Sequence, residues 1–351
     1  MKCLGAYWDM RRGGRIMAAK VSIKKISEVT GFSPATISNA LNNKRGVNSQ
    51  TAAEILKVAK EMGYISEHRI TKIRFVVYKR NGKIIDDTPF FSLLIDGVEN
   101  ECKRLGYEMS ISNLDLRDED YEEQVRWLIN DTTSGIIFLG TELMENDLDM
   151  YRKTKSPLLI FDCYDPNMNF DCVLINNEDS AKMATEYLID KGHKKIGYLR
   201  GDFRIRAFRS RAIGYARAVN KHGMDVEGKY VFTLDTTMEG AYEDMKKILQ
   251  GKPELPTAFF AENDIIALGA MKALQEFGYR IPEDISIIGF DDLPFCEITT
   301  PRLSTIRVSK QEMGITAVRR IDEIIKKPMR STLKLEICAE FVERESVREI
   351  K

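Results

Sequence analysis

Residues 21–42 read Val21-Ser22-Ile23-Lys24-Lys25-Ile26-Ser27-Glu28-Val29-Thr30-Gly31-Phe32-Ser33-Pro34-Ala35-Thr36-Ile37-Ser38-Asn39-Ala40-Leu41-Asn42. Ser22 is placed to cap a helix running to about Thr30, with Ile23, Ile26 and Val29 turned inward. Gly31 supplies the freedom that a tight interhelical turn needs. Ser33 caps a second helix, and Pro34 takes its first position, where a missing N–H costs nothing. Ile37 and Leu41, four residues apart, face a core. Ala35, Thr36, Ser38, Asn39 and Asn42 are left on the other faces. They are small or polar and lie on a short helix, a combination that can enter a major groove and bond base edges.

Working outward, Ser49 is expected to cap a third helix with an apolar stripe of Ala52, Ile55, Leu56, Ala59 and Met62. Lys24, Lys25, Lys44, Arg45, Lys57 and Lys60 can neutralise phosphates. A plain three-helix bundle with solvated lysines would show the same spacing, so spacing alone leaves that alternative open.

The 351-residue chain has 53 Lys+Arg and 53 Asp+Glu, a formal net charge of zero. That total argues against a uniformly basic nucleic-acid coat. Residues 1–72, however, hold 13 Lys/Arg against 5 Asp/Glu, and the remainder holds 40 against 48. A basic head on an acidic body hints at nucleic-acid contact, although chance clustering gives the same count. No run of ~18 apolar residues is present, so no membrane span is expected. Cys3, Cys102, Cys163, Cys172, Cys296 and Cys338 include no C-x-x-C pair, and neither a zinc site nor a redox pair is signalled. A reduced, cytoplasmic protein without cofactor is the simplest expectation. Residues 1–19 read as a disordered extension, and the segment before Met17 as a possible misassigned start.

Beyond a short polar connector at 65–72, apolar runs alternate with amphipathic helices. The runs begin at Ile73, Gly135, Leu158, Val173, Lys195, Ala258 and Ile285, each short enough for a strand buried on both faces. The clearest helices cover 91–105, 119–130, 180–191, 209–222, 238–249 and 265–277. This alternation implies parallel sheets with right-handed crossovers. The expected fold is therefore an all-α head followed by an α/β body of two doubly wound parallel-sheet subdomains with a cleft between them. Ligands in such folds sit beyond the carboxyl ends of the strands.

Several polar groups fall at those ends. Phe90 and Phe91 lie in the loop opened by Asp87-Thr88-Pro89; Phe90 is assigned to a ligand and Phe91 to the core. Asp162 follows the Leu158 run, Arg211 opens a helix, Asn263-Asp264 follows the Ala258 run, and Asp291-Asp292 follows the Ile285 run. Carboxylates, Asn and one Arg suit vicinal hydroxyls, since each can bond two at once. Taken singly, each could equally be a helix cap or a surface ion pair, and Asp264 is read as a cap. His193 sits at the amino end of a strand, where a structural hydrogen bond is expected.

The strings carry a resemblance. The run from Val21 to Asn42, with Val47-Asn48-Ser49-Gln50-Thr51 and Glu61-Met62-Gly63-Tyr64, resembles the head of the lactose repressor/galactose repressor (LacI/GalR) family. Lys191-Gly192-His193-Lys194-Lys195-Ile196, Arg211-x-x-Gly214, Asn263-Asp264-x-x-Ala267-Leu268-Gly269-Ala270 and Pro282 to Asp292 resemble its effector domain. The resemblance covers nearly all of 20–345. It implies that Pro34 and Ala35 discriminate operators and that Asn39 contacts a base. It assigns Ser33, Thr36, Ser38 and Thr51 to phosphate, with Ser22 and Asn42 in the same surface. It places Phe90, Phe91, Asp162, Arg211, Asn263 and Asp291 around an effector. Its body is similar to periplasmic sugar-binding proteins, with three crossovers between subdomains.

The implied division is a head at 20–64, a linker at 65–72 and an effector-binding and dimerisation domain at 73–345. Subdomain one takes about 73–175 plus 307–327, and subdomain two about 176–306 plus 328–345. The chain departs from the family's pattern in four places, the mildest being Asn176 where members often have Asp. Ala52 stands where Arg is frequent. Ser66-Glu67 replaces the Pro-Asn that opens the hinge helix, so weaker DNA bending and a differently spaced operator are expected. Asp235-Thr236-Thr237 carries no aromatic where members often stack one on the effector.

The function expected is that of a homodimeric repressor binding double-stranded operator DNA, its affinity set by a small effector, in the first instance a carbohydrate. An enzyme on a doubly wound fold is the first alternative, but neither G-x-G-x-x-G nor G-x-x-x-x-G-K-[ST] occurs. An exported solute-binding protein is the second, opposed by the basic head and the lack of a signal-like start.

Overall fold

A computed structural model describes residues 22–41, 47–62, 70–86, 88–144, 146–327 and 331–350. They form two compact units, one up to residue 69 and one from residue 70. Asn42, Lys44, Arg45, Asp87, the extension at 1–19 and most of the linker lie outside the described residues.

The first unit holds α1 (Ile23–Thr30), α2 (Pro34–Leu41) and α3 (Ser49–Glu61). The Ser22 side chain accepts from the Lys25 N–H, and Gly31 closes α1 at φ +74°, a conformation costly for any residue with a Cβ. Ser33 Oγ accepts from the Thr36 N–H at 3.1 Å. The cap of α3 differs from expectation: the helix begins at Ser49, and the Asn48 side chain before it accepts from the Thr51 N–H at 2.7 Å. Ile26, Ile37, Ala40, Ile55 and Ala59 make the core, with Ile23, Leu41, Ala52 and Met62 packed around it. Val29 and Leu56 were expected inside but are 59% and 41% exposed. The three-helix core is too small to cover both edges of each stripe.

In the second unit the chain continues through β1 (Lys72–Lys79), α4 (Phe90–Leu105), β2 (Glu108–Asp115), α5 (Tyr121–Asn130), β3 (Ser134–Leu139), β4 (Leu158–Phe161) and β5 (Asp171–Ile175). It then runs through α6 (Asn177–Asp190), β6 (Ile196–Gly201), α7 (Arg206–Lys221), β7 (Val231–Leu234), α8 (Met238–Gln250), β8 (Ala258–Ala261), α9 (Asp264–Glu276) and β9 (Ser286–Ile288). The last elements are α10 (Phe295–Ile298), β10 (Thr305–Arg307), α11 (Lys310–Lys326), β11 (Lys334–Ile337) and β12 (Glu340–Val342).

Two parallel sheets result. The first has six strands in the order β11-β5-β4-β3-β1-β2, and the second has four in the order β7-β6-β8-β9. β10 and β12 pair antiparallel and join the second sheet through the bridge Ile288–Ser304. The chain passes between subdomains three times: after β5, between β10 and α11, and between β11 and β12. The last passage falls later than expected. β11 pairs parallel with β5, Lys334 to Ile337 against Cys172 to Ile175, so residues 331–337 belong with the first subdomain.

Close approach is built into the sequence. Gly214 lets α7 lie against α6, since a Cβ there would overlap the Glu178 carbonyl oxygen. Among the described residues no helix is long and apolar enough to cross a membrane.

Candidate effector cleft and operator-reading helix

Every loop that matters leaves the carboxyl end of a parallel strand, where an open α/β sheet exposes its binding crevice. One narrow cleft there, of about 30 Å³, is lined by Phe90, Phe91, Asp162, Arg211, Asn263 and Asp291. All six body residues singled out from sequence meet in it. Ile84, Thr88, Thr141, Ile175, Ile205, Ala207 and Phe208 line it as well. Ile175 ends β5, Ala207 and Phe208 lie in the first turn of α7, and the others are in strand-end loops; none carries a sequence signal beyond that position.

The backbone at two of these positions is held in an uncommon conformation. Asp162 has φ +56° and Asp291 φ +114°. Asp tolerates the first, but the second lies outside the ordinary left-handed well, and such outliers persist only where surrounding structure fixes them.

Asp162 Oδ2 accepts from the Thr141 hydroxyl at 2.7 Å. Burial pushes its carboxyl up to about 6, opposed by the Thr141 bond and the Arg211 charge. Arg211 is 3% exposed. Its Nε donates to Asn177 Oδ1 at 2.8 Å, its Nη1 to the Glu262 carbonyl, and its Nη2 to Asp291 Oδ1 at 3.4 Å. The guanidinium lies 3.6 Å from the Phe290 ring centroid. Burial also raises the Asp291 carboxyl, opposed by Arg211 and Lys310. Lys310 donates to the Asp291 carbonyl, and its Nζ stands 5.3 Å from the Phe90 centroid.

Two expectations are corrected. Asn263, not Asp264, caps α9, with Oδ1 accepting from the Ile266 N–H at 2.9 Å. Asp264 is fully buried and accepts from the Thr305 hydroxyl at 2.6 Å and the Leu293 N–H at 2.8 Å. It ties α9 to the strand-end segments and does not line the cleft. Phe90 and Phe91 do not divide between ligand and core. Both are buried, both line the cleft, and their rings meet edge-on at 5.2 Å. They occupy the first turn of α4, where consecutive side chains point to neighbouring faces.

His193 lies outside the cleft. Its ring nitrogens are 2.9 Å from Thr257 Oγ1 and 3.2 Å from the Arg348 carbonyl, and burial holds its pKa below the usual value.

Sequence reasoning missed two buried carboxylates that shape the cleft's rim. Glu142 Oε2 accepts from the N–H groups of Arg80, Asn81 and Gly82, and Oε1 from those of Ile84 and Ile85. Glu262 accepts from Tyr198, Arg204 and the Gly201 N–H.

In the head, Pro34, Ala35 and Thr36 open α2, and Ser38 and Asn39 follow on the same helix. Ile37 and Ala40 turn to the core, leaving Pro34 and Ala35 exposed. The Ser33 and Thr36 hydroxyls lie 2.9 Å apart. Thr51 is on the first turn of α3, and Ser22 precedes α1.

A three-helix head carrying a turn-linked second helix, followed by a two-subdomain body with a polar cleft, defines a ligand-responsive transcriptional regulator. The periplasmic binding protein-like domain matches residues 185–347. The HTH-type transcriptional repressor PurR of Pasteurella multocida strain Pm70 is 32% identical over 330 residues, covering 93% of this chain and 98% of that protein. PurR of Haemophilus influenzae strain PittEE is 31% identical over 335 residues, covering 94% and 99%. Two solved structures share the fold: transcriptional regulator CelR with cellobiose, and the lac repressor dimer bound to operator and the anti-inducer ONPF. Each superposes with a TM-score of 0.71 and covers 93% of this chain and 99% of the other, at 23% and 21% identity. The chain belongs to the LacI family of helix-turn-helix transcriptional repressors.

Proposed function

We propose that this repressor reads operator DNA with α2 and that a small polyhydroxylated effector in the cleft sets its affinity. The observation that carries the reading is the convergence of Phe90, Asp162, Arg211, Asn263 and Asp291, from the loops and helices that follow β1, β4, β6, β8 and β9 of two sheets, on one cleft. Carboxylates, an amide and a guanidinium match hydroxyl pairs, and an aromatic face matches the apolar side of a sugar ring. That a structural neighbour was solved with cellobiose supports carbohydrate as the class. The effector acts by its differential affinity for two relative positions of the subdomains.

In the head, Asn39 presents an amide for the N6/N7 edge of adenine, and Pro34 and Ala35 supply apolar contact. Ser22, Ser33, Thr36, Ser38 and Thr51 bond phosphates. Two heads on a homodimer are needed because one buries too little surface for specific binding. The assignment is to a cytoplasmic regulator and not to an enzyme, in keeping with the regulators among its relatives.

Gel shifts with the DNA upstream of the gene test the first half. Asn39→Ala should cost about 1–3 kcal/mol at one base pair and leave binding to unrelated DNA unchanged; equal loss on all sequences removes Asn39 from base readout. For the second half, a sugar and sugar-phosphate panel is scored by its effect on operator affinity. Arg211→Ala should abolish the response, and an unchanged response takes Arg211 out of the site.

A further inference from the structure

Beside the cleft, and sharing Asp162 with it, lies a second recess of about 270 Å³, open to solvent. It is framed by the loop after β4, the start of α6, the start of α7 and the edge strand β11. Its charges are mostly satisfied. Glu178 takes Arg217, Glu336 takes Lys334 at 2.7 Å, and Asp179 takes the Asn176 amide at 3.1 Å. Arg206 is different. Its Nε and Nη2 are buried with no hydrogen-bond partner, and its guanidinium lies 5.1 Å from the Tyr164 centroid.

That is an expensive arrangement. A guanidinium does not shed its proton, so burial cannot neutralise it. Arg206 as a whole is only partly buried, but its Nε and Nη2 are shielded from solvent, and leaving both charged donors unpaired favours an acceptor supplied from outside the polypeptide. The orphaned atoms are Nε and Nη2, which together form the side-on edge of the guanidinium. That edge presents two parallel N–H donors and matches the two oxygens of a carboxylate or phosphate. A second feature favours the same charge. Arg206 is the first residue of the sixteen-residue helix α7, and its N-cap, Ile205, supplies no side-chain bond. The helix therefore turns unsatisfied N–H groups and a positive dipole end towards this corner. The Tyr164 ring beneath also holds the guanidinium in place, with Lys334 Nζ 4.7 Å from the same ring.

We infer that Arg206 anchors an oxyanion subsite continuous with the cleft, filled by a phosphate monoester or carboxylate carried on the effector. This inference rests on the cleft being the effector site. In that arrangement the hydroxyls of the ligand face Asp162, Arg211, Asn263 and Asp291, and its anionic end faces Arg206. The ligand class narrows from any sugar to sugar phosphates or sugar acids.

The first test uses simple anions on the full chain. Inorganic phosphate and acetate, each compared with chloride at equal ionic strength, are scored by thermal unfolding. Phosphate, acetate or both should raise the unfolding temperature of the wild type, and which one does so separates the two chemistries. Arg206→Gln should lose the increment, and Arg206→Lys should keep only part, because an ammonium lacks the fork. Without added anion, Arg206→Met should unfold no lower than wild type, since it removes two shielded donors that no protein group pairs. No increment in the wild type, or an equal one in Arg206→Gln, overturns the subsite.

The second test compares a neutral sugar with its phosphate and its acid in calorimetry. The anionic forms should bind on the order of 10- to 100-fold tighter in the wild type, with the gain absent in Arg206→Gln. Neutral sugars binding through Arg211 with no gain for their anionic forms would overturn the subsite and leave the cleft reading standing. An Arg206-dependent anion increment in a protein whose operator affinity never responds through Arg211 would do the reverse.

Discussion

Asp162 is held between two states. Burial raises its carboxyl to about 6, while the Thr141 hydroxyl and Arg211 pull the other way. A ligand hydroxyl donating to its oxygens favours the charged form, so binding lowers that pKa and releases a proton. Effector affinity should therefore climb as pH rises towards about 6 and level off above it. Calorimetry in buffers of different ionisation enthalpy would count the proton, and Asp162→Asn should show none. Asp264 makes the complementary case for stability. It is pushed up to about 7 by burial and by the Asp291 charge. The unfolded chain releases that proton near pH ~4, so the folded state binds more protons between the two values. The stabilisation is full below pH ~4 and is lost as pH rises through about 7. Asp264→Asn should flatten this part of the unfolding-temperature profile, and an unchanged slope would place the effect elsewhere.

At the level of elements, legibility followed how local the cause was. α1, α2 and the buried strands could be read because caps, a turn glycine and apolar runs act within a few residues. The cap of α3 was misplaced by one position because Asn48 and Ser49 are both cap formers and only backbone geometry chooses between them. Asn48→Ala should cost about 1 kcal/mol, seen as roughly fivefold faster amide exchange in the first turn of α3. β2 was not recognised. It is the edge strand beside β1, and six of its eight residues are polar or exposed, so it lacks the apolar run of its neighbours. β11 was assigned to the wrong subdomain for the same reason: Lys334 and Glu336 are exposed. The six cleft residues were readable because each lies in the loop or helix that follows a strand, although Arg211 sits in the second turn of α7 and does not open it. Glu142 was not, because its five partners are backbone N–H groups some 60 residues earlier, and these leave no mark in side-chain sequence. Glu142→Ala should free the loop after β1, since it strips the acceptor from five amides at once. Hydrogen exchange at residues 80–85 would report that loss.

Across the body as a whole, that loop carries an ion-pair bridge from the first sheet's cleft rim to the second's. Lys83 Nζ lies 2.5 Å from Asp235 Oδ2 and 3.5 Å from Asp202 Oδ2. Asp202 follows β6 and Asp235 follows β7, both in the second sheet, whereas Lys83 follows β1 in the first. Glu142 fixes the backbone on either side of Lys83, so the ammonium is presented and does not have to search. The Lys83 pKa is raised, with the Asp235 bond as the largest cause. The pair is partly solvated, which limits it to about 0.2–1 kcal/mol. A bridge of that size does not hold the fold together, but it can bias the relative position of two subdomains that a ligand must also bias. Lys83→Ala should weaken effector affinity by about 1.4- to 5-fold at low salt, the range that energy allows. The difference should shrink as ionic strength rises and the Debye length contracts. Calorimetric titrations of wild type and Lys83→Ala at two salt concentrations would decide it. Equal affinities at low salt would show that closure does not depend on this bridge.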